Sequence, residues 1–438
     1  MNDQIRTYID SVLNHIDFKD AHVGIRAELE AHLHALIKTY KLRGFSESAS
    51  IEKAVCQMGS PVRTGKSLNK IHRPKTDWLL ISLIVILLGI GLVIAYFVES
   101  WDSAYPAYYM LVMQADLYGL VLLTIIVTIL VPIQKLLRYW SLFILAALII
   151  GMFATVKGIS NSGSLVFLSV FDIFYLNVPA ALSLLFLLGW SGLLSSIRHA
   201  SKRTLFLYIT MVWMTISSFL ILPNLILAGL FLLLTTAGTM FTLKNIRYRL
   251  TLFSTTWLPV MIIVFYFSSN YGYAAERLNG IFTWGSDTYH AQYIPTILSQ
   301  AKWIAGNSHA GINSDTFYLL PFDYTFLFVI HYGGILFALF TCMLLLLIVS
   351  KLLWNINAVT YYPLRIIGWG AVFLLVFPIL WNLLTSSGLV AATFLPMPFI
   401  TPGSSMQIYY AALFGIVINI HRQRFVLFNE RQLKEASE

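Results

Sequence analysis

The side chains able to do chemistry collect in one stretch of the sequence. Between Ser268 and Asp323 there is no apolar run of membrane length, and the segment carries Glu276, Asp287, Asp315, Asp323, the cations Arg277 and Lys302, and the imidazoles of His290 and His309. A carboxylate can take a proton from a hydroxyl, and a fixed cation can meet a departing anion. Each residue also has an ordinary reading. Asp287 is then a solvated loop acid, Arg277 an interfacial anchor, and Lys302 beside Trp303 a snorkelling pair. Asp323 is an acid favoured at a helix N-terminus, and His290 and His309 are isolated loop histidines. Tyr293, Ile297 and Ala301 fall on one face of a short amphipathic helix. Loops of this length are usually functional, so any recognition or chemistry is expected here.

The elements that must position this loop are membrane helices. Of 438 residues, 58% are hydrophobic and 11% charged, against roughly 25% charged in soluble domains. That composition excludes a disordered chain, a collagen-like chain and a typical cytosolic enzyme. It indicates an all-α polytopic membrane protein. Two cysteines, Cys56 and Cys342, exclude a disulfide scaffold. Neither a nucleotide loop nor a Rossmann pattern is present, and no nucleic-acid partner is expected. The uncharged runs are Trp78–Val98, Leu117–Gln134, Tyr139–Val156, Ile173–Ile197, Thr204–Leu243, Leu250–Ala275, Tyr324–Ser350 and Ile366–His421. A span needs about 20 apolar residues. Thr204–Leu243 is double length with a turn at Pro223-Asn224, and Ile366–His421 is double length around Pro396, Pro398, Pro402 and Gly403. About ten helices result, between a polar head at residues 1–77 and a tail at 422–438, with the membrane domain at 78–421.

Basic residues set the orientation. With the N-terminus inside, Lys135, Arg138, Arg198, Lys202, Arg203, Lys244, Arg247, Arg249, Lys351 and Arg365 fall on the inner side, as does the tail. Glu99, Asp102, Asp116, Asp172, Glu276, Asp287, Asp315 and Asp323 all fall outside. Both termini are therefore expected in the cytoplasm of a multi-pass plasma-membrane protein, and 268–323 is its large outer loop. The start, MNDQIRTYIDSVLNHIDF, has no apolar core or cleavage site and does not read as a signal peptide.

The head has helical periodicity. Ile5, Ile9, Val12, Leu13 and Ile16 form one stripe. A second helix runs from about Ala21 to Arg43, with Leu29, Leu33, Ile37 and Tyr40 inward. Ser46 caps a third, which Gly59 and Pro61 close. His32 and His34, at i and i+2, point apart on a helix and make a poor metal pair. The basic end, including Lys66 and Lys70, is either a solvated positive flank or a contact with anionic lipid. The head resembles the permease-prefix type of N-terminal domain, which implies an interaction or regulatory role.

Within the membrane body, Arg277-Leu278, Ile281-Phe282 and Asp287 resemble the segment before the catalytic aspartate of the SEDS family, the FtsW/RodA/SpoVE-type peptidoglycan glycosyltransferases. Leu320-Pro321, Thr325, Leu327 and Val329 are similar to the family's Leu-Pro-Glu-x-His-Thr-Asp-Phe-Ile-Phe. Gly333-Gly334-Ile335 stands near its Glu-Glu-Leu-Gly, Pro396–Ser405 near its Pro-Leu-Pro-Phe-Ile-Ser-Tyr-Gly-Gly-Ser, and Leu222-Pro223-Asn224-Leu225 near its Gln-Pro-Asp-Leu. The chain departs from the pattern at Phe322, Tyr324 and Phe326, which replace Glu, His and Asp, and at Trp284 and Thr288, which replace prolines. Asn177-Val178-Pro179-Ala180 stands where Gln-Pro-Ser-Glu would be.

The resemblance implies polymerisation of lipid II or a related undecaprenyl-pyrophosphate-linked saccharide, in bacterial cell-wall synthesis during growth, division or sporulation. It implies Asp287 as the base and Arg277, Lys302, Asp323, Pro398 and Ser404 as substrate-binding residues. A penicillin-binding protein is the implied partner. A divalent cation could bridge Asp287, though no residue pattern marks a metal site. Two alternatives stand beside this reading. One is a non-catalytic scaffold for a penicillin-binding protein, favoured by the lost acids. The other is a lipid-linked sugar transporter or ligase, disfavoured because the spans carry essentially no ionisable side chain.

Overall fold

A computed structural model of the chain describes residues 3–19, 22–72, 76–99, 109–161, 164–170, 174–197, 202–222, 224–270, 293–304, 324–359, 361–390 and 395–423. The chain divides into two units. One holds Met1–Asp77, Asn357–Arg365 and Ile420–Glu438; the other holds Trp78–Ile356 and Ile366–Asn419.

The head contains α1 (Asp3–Leu13), α2 (His22–Leu42), α3 (Glu47–Met58) and α4 (Pro61–His72). The sequence stripe is its core: Ile5, Ile9, Val12, Leu13 and Ile16 are buried with Leu29, Leu33 and Ile37 of α2 and Ile51 and Ala54 of α3. Ser46 caps α3, accepting from the Ala49 N–H at 3.4 Å. Pro61 does not simply end α3, as its position implied. It opens α4, because proline is preorganised for the first helical position, where its missing N–H has no partner to lose. Between the two helices, Gly59 at φ 79° makes the break, its N–H returning to the Cys56 carbonyl.

The second unit is helical and multi-pass. Its long helices are α5 (Trp78–Glu99), α6 (Tyr109–Leu130), α8 (Trp140–Lys157), α9 (Val178–Ser196), α10 (Lys202–Ile221), α11 (Leu225–Thr242), α12 (Ile246–Asn270), α14 (Thr325–Asn357), α15 (Tyr362–Ser386) and α16 (Met406–Gln423); α7 (Ile133–Leu136) and α13 (Tyr293–Ser299) are short. Eight helical segments among the described residues are long and apolar enough to cross a membrane. The two remaining expected spans coincide with α12, which opens on Arg247 and Arg249, and α16, which ends on His421 and Arg422.

Two boundaries differ from the sequence reading. The sequence puts Asp116 in an outer loop, but α6 begins at Tyr109 and includes it as an exposed residue. The apolar run Ile173–Ile197 predicts a span that begins at Ile173. Instead Gly158–Asn161 (β1), Ser164–Val170 (β2) and Phe174–Asn177 (β3) form a three-stranded antiparallel sheet in the order β1-β2-β3. Apolar residues in Phe-Tyr-Leu satisfy strand and helix equally at this length. Asn177 decides the boundary: its side chain accepts from the Ala180 N–H at 3.0 Å, and Pro179 follows in the first turn.

Polar side chains tie the helices together. The Trp190 indole N–H of α9 donates to the Tyr208 hydroxyl of α10, and that hydroxyl donates to the Thr235 carbonyl of α11, each at 3.0 Å. Asn224 caps α11 by accepting from the Leu227 N–H at 3.1 Å, a role that Asp and Asn share. Asn419 of α16 donates to the carbonyls of Thr128, Ile129 and Val131 at 2.7–2.9 Å, which closes the end of α6.

Candidate functional site

Residues 395–405, before α16, are irregular backbone, most of it enclosed in protein. Their prolines, 396, 398 and 402, prevent helix formation by fixing φ and removing N–H donors. Residues 395–402 are buried, whereas Gly403 is exposed and Ser404 and Ser405 are half-buried. Irregular backbone in a membrane protein is tolerated where protein groups satisfy it, and here they do.

Gln407, in the first turn of α16, is the main clamp. Its carbonyl oxygen accepts from the Phe399 N–H at 2.5 Å, and its amide donates to the Met397 and Thr401 carbonyls at 3.1 Å. Thr401 accepts from the Met397 N–H at 2.7 Å and pairs with Thr325 of α14 at 2.7 Å. Two side chains of α6 reach in: Tyr118 donates to the Phe399 carbonyl at 2.6 Å, and Gln114 accepts from the Gly403 N–H at 2.7 Å. Tyr410 donates to the Pro396 carbonyl at 2.9 Å. Asn177, the cap of α9, donates to the Ser405 hydroxyl at 2.7 Å. The network holds Phe399 at φ 64°, unusual for a bulky residue. These partners are all neutral side chains, and they fix the backbone of 395–405.

A second feature is the break in α14. Gly334 has φ 79° and ψ 174°, between helical turns on either side. Backbone N–H groups released by the break are taken up by the long loop: Ile335 N–H donates to the Lys302 carbonyl at 2.9 Å, and Leu336 N–H to the Trp303 carbonyl at 3.2 Å. A Cβ at 334 would lie 3.0 Å from the Lys302 oxygen and 3.1 Å from that of Trp303. The first turn of α14 is held from α15, where Asn382 accepts from the Phe326 N–H at 3.1 Å and Ser386 from the Leu327 N–H at 3.2 Å. Gly334→Ala is expected to cost about 1–3 kcal/mol through its disfavoured backbone and to loosen residues 302–304. Faster hydrogen exchange at 302–304 than in the parent protein checks this.

The sequence candidates fare differently. Lys302 has an exposed side chain while its carbonyl is committed to the α14 break. Pro398 is buried within the clamped segment, and Ser404 is half-buried at its exposed end, its carbonyl accepting from the Gln407 N–H at 3.0 Å. Arg277, Asp287 and Asp323 lie outside the described residues, as do His290 and His309. On α13 Ile294 and Ile297 are buried among the described side chains; Ile297 belongs to the expected face, and Ala301, half-buried, falls beyond the helix. No group of three or more His, Cys, Asp or Glu side chains gathers among the described residues.

Sequence reasoning missed Gln114, Tyr118, Asn177 and Gln407 as clamps on the 395–405 segment. It also passed over His331, which is 4% exposed within α14 and is an exception to spans without ionisable groups. The available signal was polarity inside apolar runs, which is costly in a bilayer and therefore positioned.

A multi-pass helical body, a clamped proline-rich segment before the last helix and a break in α14 define a polytopic helical membrane protein. No protein-family model and no curated protein sequence matches the chain. Solved structures do. One is a chain described under the structural coordination of polymerization and crosslinking by a peptidoglycan synthase complex, with a TM-score of 0.64, 19% identity, and coverage of 80% of this chain and 98% of that one. Another is the Thermus thermophilus rod shape determining protein RodA, with a TM-score of 0.55, 18% identity, and coverage of 80% and 97%. An Asp-to-Ala variant of that RodA matches similarly, at a TM-score of 0.56. The likeness shows a shared fold and supports the SEDS resemblance of the motifs.

Proposed function

We propose that this protein is a SEDS-type glycosyltransferase of peptidoglycan synthesis, polymerising lipid II or a related polyprenyl-pyrophosphate-linked saccharide at the outer face of the membrane. The observation that carries this reading is the fold shared over 98% of a chain from a peptidoglycan synthase complex. The ordered motif matches and the clamped 395–405 segment support it.

In the proposed reaction Asp287 takes the proton from the acceptor sugar hydroxyl. The oxygen attacks the anomeric carbon of the donor, the bond to pyrophosphate breaks, and the configuration inverts. Arg277 and Lys302 meet the charge on the leaving pyrophosphate. Gly403 and Ser404, the accessible end of the clamped segment, meet the saccharide, and Asp323 is proposed as a further contact to it. The polyprenyl chains stay in the bilayer. A penicillin-binding protein is the proposed partner, and the termini are proposed to be cytoplasmic.

The test is polymerisation of lipid II by the purified full-length protein, with and without a penicillin-binding protein. Asp287→Ala is expected to lower the rate by about a hundredfold or more, the contribution typical of a positioned base. Undiminished polymerisation in that variant removes the mechanism.

One observation favours a non-catalytic scaffold instead. Tyr324 and Phe326 stand where the family motif has His and Asp, and Tyr324 is 2% exposed, packed away as a core residue. The scaffold reading expects no polymerisation under any condition, with Asp287→Ala fully supporting growth in cells.

A further inference from the structure

We infer that the outward face of α4 is a docking surface for anionic phospholipid headgroups. The inference concerns the head alone and does not depend on the catalytic reading above.

Charge in the head is unevenly placed. Residues 1–59 hold seven Lys and Arg against eight Asp and Glu, close to balance; residues 60–77 hold five against the single acid Asp77. Within α4 the cations are Arg63, Lys66 and Lys70, with no acid among them. At about 100° per residue, spacings of three and seven put all three within a 60° arc. They line an open groove of about 450 Å³ together with Ser60, Val62, Ser67.

Packing fixes which way this arc faces. Gly65, on the opposite side, sits against α1 so closely that a Cβ would lie 2.7 Å from the Val12 carbonyl oxygen and from the His15 Cβ. Asn69 donates to Asp17 at 2.8 Å, and its side-chain oxygen accepts from the Asp17 N–H at 3.3 Å. Thr64 donates to the Met58 carbonyl at 3.3 Å. With that side committed, Arg63, Lys66 and Lys70 are exposed. Val62 at 41% and Ile71 at 58% exposure flank the basic arc.

A basic stripe with apolar shoulders is the pattern of an interfacial helix. The occupant follows from chain order: residues 73–77 alone separate α4 from α5, the first membrane span. A polybasic segment immediately beside a span meets the lipid surface at high effective concentration. Each such cation contributes about fivefold to surface association, so three contribute on the order of a hundredfold.

The test uses the full-length protein with Cys56→Ser, Cys342→Ser and Ser67→Cys, labelled with bimane and reconstituted in nanodiscs containing a trace of headgroup-spin-labelled lipid. Quenching is expected to be several-fold stronger in phosphatidylglycerol-rich discs than in phosphatidylcholine discs, and to fall to the neutral level in high salt. Combined Arg63→Gln, Lys66→Gln and Lys70→Gln is expected to abolish the difference, with unchanged helicity showing the head intact. Equal quenching in both disc types, or a difference that survives the triple substitution, overturns the inference. Reversal of quenching by millimolar inorganic phosphate at constant ionic strength would assign the face to a soluble anion and overturn it as well.

Discussion

Gln407→Ala is expected to be among the most damaging single substitutions in the membrane body. The side chain is fully buried and makes three hydrogen bonds to the backbone of a segment with no secondary structure of its own, at Phe399, Met397 and Thr401. Removing it strands one buried N–H and takes a donor from two buried carbonyls. Each stranded group costs about 1–3 kcal/mol, so the loss is expected at about 3 kcal/mol or more. In detergent this reads as a fall in the midpoint of thermal unfolding of about 3 °C or more. Gln407→Met keeps most of the volume and removes the bonds, so it is expected to lose nearly as much. A parent-like midpoint for the Met variant would show that volume, not hydrogen bonding, holds the segment.

The second large effect is expected at Gly91 of α5. There the absence of a side chain lets Tyr118 of α6 reach the Phe399 carbonyl. A Cβ at 91 would fall on the Tyr118 hydroxyl oxygen and lie 2.8 Å from the Phe399 oxygen. Gly91→Ala therefore forces α5 outward or breaks the Tyr118 bond, and is expected to cost about 2–3 kcal/mol, as overpacking does. Tyr118→Phe alone leaves the carbonyl without that donor, at about 1–2 kcal/mol. Tyr118→Phe also removes the oxygen on which the new Cβ would fall. The double variant is thus expected to cost less than the sum by about 1 kcal/mol, a coupling measurable in a double-mutant cycle. Strict additivity would show that the two residues do not meet.

Both effects concern a segment whose role was only half legible. Three prolines and Gly403 between two apolar runs mark 396–405 as irregular. What holds that stretch is hydrogen bonding from α6, α9, α14 and α16, which no local pattern reports. The same holds for Asn177. In sequence it resembled the remnant of a motif; in the structure it caps α9 and reaches Ser405.

Periodicity served well wherever one helix face was enough. The stripe from Ile5 to Ile16, the Ser46 cap and the helix break at Asn224 needed only local rules, because burial repeats at 3.6 residues and caps satisfy neighbouring N–H groups. Periodicity served poorly at 174–177, where three apolar residues before Asn177 are too few to distinguish a strand from a helix, and at α4, where Pro61 could end one helix or start the next.

Composition alone determined that this is a multi-pass helical membrane protein, since a bilayer admits helices whose backbone bonds close within each segment, and those need long uncharged runs. Which polar side chains hold the broken and irregular backbone was decided only in three dimensions. Gln114, Asn177, Thr325 and Gln407 are far apart along the chain, and only the packing of their helices brings them to one unpaired stretch. The break at Gly334 is of the same kind: its freed N–H groups are met by carbonyls more than thirty residues earlier, a match made by tertiary geometry and invisible to any local pattern.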